Sequence, residues 1–81
     1  MKKPMHERLN ARQLKADMVI YGDTQVTLAK FLGISTSTLS HKMGGTQCFT
    51  LEQMDKMRER YSMSPERFVD IFFHEDYPNG K

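Results

Sequence analysis

The sequence predicts an all-α fold of five short helices, the second and third of them joined by a tight turn. Three observations carry that reading. Apolar residues recur at spacings of three and four along most of the chain, and no stretch alternates apolar and polar residues as a strand would. Gly22, Gly33, Gly44-Gly45 and Ser64-Pro65 then divide the chain into five segments. With 81 residues there is room for one domain and one modest core, since a chain this short buries only about 60% of its unfolded surface.

The first helix is expected to start at Asn10, an N-cap with Gln13 three residues on. It carries Ala11, Leu14, Met18 and Tyr21 at helical spacing before Gly22 stops it. The second follows Asp23-Thr24 and sets Leu28, Ala29 and Leu32 on one face before Gly33. Both are short and need tertiary packing to persist. Ser35 caps the third, which runs to about Met43, with Ile34 and Leu39 placed as a hydrophobic staple. The fourth opens at Thr50, with Gln53 at the capping-box position, and aligns Leu51, Met54, Met57 and Tyr61 opposite a charged face. Ser64 caps the fifth, Pro65 takes its first position, and the helix continues through Phe73. The single cysteine, Cys48, cannot build a disulfide framework and reads as a small semi-buried residue. Seven methionines at these spacings read as core filler.

Charge is uneven along the chain. Met1 to Lys15 holds five Lys or Arg against one Glu, whereas Ser64 to Lys81 holds two basic residues against four acidic ones, within a net charge of +2. The expected organisation is a basic arm over 1–9, a helical domain over 10–73 and an acidic tail over 74–81. A cationic arm beside a helical domain suits phosphate contact, and it equally suits a solvated disordered tail. No apolar run approaches the roughly 18 residues of a membrane span, and Met1-Lys2-Lys3 is followed by polar residues, so a soluble cytoplasmic protein is expected.

The discriminating pattern lies between Thr24 and Met43. Two helices crossing steeply over a short turn need a small residue where they touch, a residue tolerant of positive φ at the turn, and apolar side chains on both sides. Ala29, Gly33 and the set Leu28, Leu32, Ile34 and Leu39 supply these in order. At about 100° per residue, Leu39 and Met43 share one side of the third helix while Thr36, Ser37, Ser40 and His41 fan over the other. Short hydroxyl side chains can donate to or accept from base edges, and a threonine methyl can touch a thymine methyl. Thr38 and Lys42 flank the fan, where they could meet phosphates. Ser and Thr near a helix start are ordinarily caps, and His41 alone would be an ordinary surface histidine. The complete Ala-Gly-apolar spacing is what weighs against the plainer account.

The chain resembles the Cro and lambda-repressor-like (XRE-type) helix-turn-helix proteins, over roughly Asn10 to Phe73. The likeness is clearest at Thr24-Gln25, Leu28-Ala29, Leu32-Gly33-Ile34-Ser35, Thr38-Leu39-Ser40 and Phe49-Thr50-Leu51. The resemblance implies a five-helix lambda-repressor-like DNA-binding domain whose helices 2 and 3 are the helix-turn-helix. It places base reading on Thr36, Ser37 and His41, with Ser40 beside them, and phosphate anchoring on Thr24, Gln25, Ser35 and Thr38. Two departures stand out. Met43 occupies a position often acidic in the family, and Gly44-Gly45-Thr46-Gln47 lacks the usual basic residues, which shifts the expected phosphate grip to backbone N–H groups, Lys42 and the arm. The fan also lacks the Arg or Gln that give bidentate base contacts, which leaves more of the specificity to DNA shape.

The last helix carries Phe68, Val69, Ile71, Phe72 and Phe73, more apolar surface than one face requires. A homodimer through Val69, Phe72 and Phe73, with Tyr77 near them, is therefore expected, on a near-palindromic duplex site. The function expected is that of a small transcription regulator of Cro type, phage or prophage in kind, with no C-terminal protease or oligomerisation domain. The alternative is a protein-interaction module on the same fold, such as the antitoxin of a toxin–antitoxin pair. An enzyme is not expected: Cys48, His6, His41 and His74 lack metal-ligand spacing, and no Ser-His-Asp or paired-carboxylate arrangement has a scaffold to hold it. Neither metal nor cofactor is expected.

Overall fold

The computed structural model describes residues 9–74. The expectations for the arm through Arg8 and for the tail from Glu75, Tyr77 included, lie outside the described residues. Five helices follow one another: α1 (Ala11–Ile20), α2 (Gln25–Leu32), α3 (Thr36–Met43), α4 (Leu51–Arg60) and α5 (Pro65–Phe72), with no strand among the described residues.

Each helix begins where a local side chain satisfies an orphan backbone donor. Asn10, Thr24, Ser35, Thr50 and Ser64 accept from the N–H groups of Gln13, Thr27, Thr38, Gln53 and Arg67 at 3.3, 3.2, 3.0, 3.0 and 3.1 Å. Caps of this kind contribute about 1 kcal/mol each. Thr24 with Thr27 and Thr50 with Gln53 close the bond in both directions.

One core joins all five helices: Leu14 and Met18 from α1, Leu28, Ala29 and Leu32 from α2, Leu39 and Met43 from α3, Met54 and Met57 from α4, Ile71 and Phe72 from α5. Phe49, Tyr61 and Met63 complete it from the connections. The described methionines are thus all core residues. α5 closes the fold against α1. The Asn10 N–H donates to the Ile71 carbonyl at 2.7 Å, and the Arg67 guanidinium donates to both oxygens of the buried Asp17 carboxylate, 2.7 Å at the shortest.

Four expectations are corrected here. Leu51, aligned in sequence with Met54 and Met57, is 71% exposed, because the first residue of α4 projects past the end of the core. Tyr21 lies at the C-cap of α1 and is half exposed, its ring tilted at 59° to that of Tyr61 with 5.4 Å between centroids. Cys48 is exposed rather than semi-buried. Phe72, expected at a dimer interface, is a core residue that meets Phe49 edge-on at 5.9 Å between centroids. The apolar excess of α5 is largely absorbed inward, since α5 packs on α1 as well as on the Phe49 side: Ile71 and Phe72 are buried, and Phe68 and Phe73 lean on the core. Val69 alone in this set is well exposed, at 53%. No helix among the described residues is long and apolar enough to cross a membrane.

Candidate nucleic-acid interface

The joint between α2 and α3 has the three features the sequence requires of it. Gly33 ends α2 at φ +75°, its N–H donating to the Lys30 carbonyl at 3.1 Å, and the Ile34 N–H reaches back to the Ala29 carbonyl at 3.0 Å. A Cβ at Gly33 would meet no atom within 4 Å, so the position demands glycine for its dihedral and not for room. α2 and α3 pack on each other, Ala29 is buried in the same core as Leu28, Leu32 and Leu39, and Ile34 lies half-buried against it.

That joint turns one side of α3 outward. Thr36, Ser37, Ser40 and His41 are all exposed. Their side chains make no hydrogen bond among the described residues, which leaves three hydroxyls and an imidazole available to a ligand. The far end of the helix is fixed instead at a backbone carbonyl: that of His41 accepts from both the N–H and the side-chain hydroxyl of Thr46, at 3.1 and 3.0 Å.

The residues matched to phosphate anchoring divide by what their hydroxyls already do. Ser35 accepts from the Thr38 N–H and spends its own proton on Thr38 Oγ1 at 2.9 Å, so it acts as a cap with no donor left for a phosphate oxygen. Thr38, half-buried, keeps its hydroxyl proton. Thr24 is exposed, accepts from the Thr27 N–H and also keeps its proton; Gln25, half-buried, opens α2 beside it. The N–H groups of Gln25 and Val26, and of Thr36 and Ser37, head the two helices without a partner in the helix, as the first turn of any helix does.

Lys42 is the correction in this region. It is 8% exposed, and its Nζ donates to the Cys48 carbonyl at 2.6 Å while sitting 5.8 Å from the centre of the Phe49 ring. It fastens the loop after α3 to the helix and takes no place on the outward face. Its angular position shows why: it lies three residues after Leu39 and one before Met43, on the inward side of the helix.

Two features escaped the sequence reading. From Thr24 to Leu51 the chain contains no Asp or Glu, a signal that was open to simple inspection and that suits a polyanion. The acid that borders this stretch, Asp23, is the second. Its side chain is 3% exposed. Oδ2 accepts from Arg60 Nε and from the Tyr61 hydroxyl, both at 2.6 Å, and Oδ1 accepts from Arg60 Nη2 at 2.8 Å and the Thr27 hydroxyl at 2.7 Å. The bonded Arg60 guanidinium, helped by Tyr61 and Thr27, holds the Asp23 carboxyl well below the ordinary carboxylate range against the opposing effect of burial. Burial, and then the neighbouring carboxylate, push the Tyr61 hydroxyl up. Arg60 also lies over the Phe31 ring of α2, 4.3 Å from its centre. Partners 37 and 38 residues apart leave no local signature to read.

Among the described residues no group of three or more His, Cys, Asp or Glu is placed to hold a metal ion. In comparisons with known proteins, residues 5–78 match the family model described as the BetR domain. No curated protein and no solved structure matches the chain.

Proposed function

Since the chain belongs to the BetR domain family, a small helical domain of the helix-turn-helix regulator class, we propose that it binds double-stranded DNA with α3 in the major groove and acts as a transcription regulator. The observation that carries this reading is the outward face of α3: four polar side chains with no hydrogen-bond partner among the described residues, on a stretch of chain without a single carboxylate. Thr36, Ser37, Ser40 and His41 read base edges. Thr24, Gln25 and Thr38, with the backbone N–H groups heading α2 and α3, contact phosphates and fix register. Ser35 serves as the cap that holds α3 in place, and Lys42 contributes no phosphate contact.

Short reading residues bring the backbone of α3 close to the base edges and limit how many contacts one copy can make. Two copies on a near-palindromic repressor site supply the remainder, with Val69 the exposed apolar residue of α5 open to a pairing surface. The reading needs no catalytic group and no cofactor. Selection of bound sequences from a random duplex pool tests it: enrichment of a two-fold symmetric site is expected, with affinity that falls as salt rises. Ser37→Ala and His41→Ala should each relax preference at particular base positions while leaving the protein folded. Binding that is absent at low salt, or that is indifferent to salt and to both substitutions, would overturn the reading.

A further inference from the structure

The cluster around Asp23 sits at the edge of the proposed interface. Asp23 immediately precedes Thr24, the N-cap of α2, and its own N–H donates to the Met18 carbonyl at 2.7 Å. One residue therefore joins the end of α1, the start of α2 and, through Arg60 and Tyr61, the end of α4. Arg60 grips α2 at a second point by lying over Phe31. A carboxylate at this position is otherwise the worst charge to leave beside a phosphate-facing helix end, because it repels the backbone that the end is meant to approach.

We infer that Asp23, Arg60 and Tyr61 are positioning residues for DNA binding: they aim the N-terminus of α2 at the phosphate backbone and keep the adjoining carboxylate neutralised by Arg60. The inference rests on the DNA-binding reading. It assigns the cluster an effect on affinity that is independent of base sequence, since phosphate contacts carry register and not sequence information. Arg60 fits the role by geometry as well as by charge, because its planar fork meets both carboxylate oxygens while its face covers Phe31.

The test uses the full chain and a random-sequence duplex pool as the probe, titrated at low and at moderate salt, at a temperature where circular dichroism shows each variant folded. Arg60→Gln should bind about tenfold more weakly than the parent at low salt, and the deficit should narrow as salt screens the exposed carboxylate. Adding Asp23→Asn to Arg60→Gln should recover the part of the affinity lost to charge repulsion and remove the salt dependence of the deficit, leaving the part lost with the aim of α2. Tyr61→Phe keeps the ring packing, removes one bond to the carboxylate, and should weaken binding about two- to threefold. It decides the matter if Arg60→Gln does not fold. Folded variants that bind as the parent does, a double substitution no tighter than Arg60→Gln, or a deficit that ignores salt would overturn the inference while leaving DNA binding standing. A parent chain that fails to bind the pool at all overturns both.

Discussion

Along the eight residues of α3, Leu39, Lys42 and Met43 are buried in the protein while Thr36, Ser37, Ser40 and His41 stand in solvent. The inward side is saturated: Leu39 and Met43 pack in the core, and the Lys42 ammonium is spent on the Cys48 carbonyl. The outward side is idle, with no side-chain hydrogen bond among the described residues. Polar groups left idle on a helix that is anchored from behind, capped by Ser35 and turned by Gly33 form a surface held ready for a ligand. On the proposed reading, stability and recognition fall on different residues of one short helix, so that each should be alterable without the other.

The largest way to break that separation is from behind. Leu39→Ala removes a fully buried side chain from beneath the outward face of α3 and should cost about 2–5 kcal/mol by thermal or denaturant unfolding, enough to threaten the fold of so small a domain. Ser37→Ala, on the opposite side, should leave stability within about 0.5 kcal/mol. Equal losses from the two substitutions would show that the faces are not separable.

Acidification probes the joint from the α2 side. The folded protein holds the Asp23 carboxyl well below its ordinary value, so its contribution to stability is complete above that value and drains away as pH falls below about 4 toward the depressed folded value. Thermal melts across that range should show the decline, and Asp23→Asn should flatten it. Gly33→Ala comes next, at about 1–2 kcal/mol, since alanine must accept φ +75° where its Cβ has room but its backbone does not relax. A melting temperature equal to the parent's would show that the turn shifts freely, and with it the angle of α3.

How much of this was legible in the sequence depends on the range of the interaction. The caps Asn10, Ser35, Thr50 and Ser64 could be read because a cap is settled within four residues, and Gly33 because positive φ at a helix end selects glycine. The polar fan on α3 followed from helical periodicity alone. Leu51 misled because periodicity assigns a direction but not where the core ends along the helix axis. Phe72 misled because α5 is covered on two sides, which depends on α1 lying against it. The Asp17–Arg67 and Asp23–Arg60 pairs join residues 50 and 37 positions apart, and only the packed fold brings them together.

Lys42 gives the smallest expected effect and the sharpest test of the two-faced helix. Its residue type suggests a phosphate contact, and its position three residues after Leu39 puts it in the protein. Lys42→Met keeps an unbranched stem of similar length, gives up the bond to the Cys48 carbonyl, and relieves the cost of burying an ammonium group that has no carboxylate partner among the described residues. These changes oppose one another, so stability should move by no more than about 1 kcal/mol. A lysine that touched phosphate would, on removal, weaken binding uniformly and lower the salt slope by about one contact. Titration of Lys42→Met against a random duplex pool should therefore reproduce the parent's affinity and slope. A slope reduced by one contact would mean that this side chain swings out on binding and that α3 meets DNA with more of its circumference than its resting fold presents.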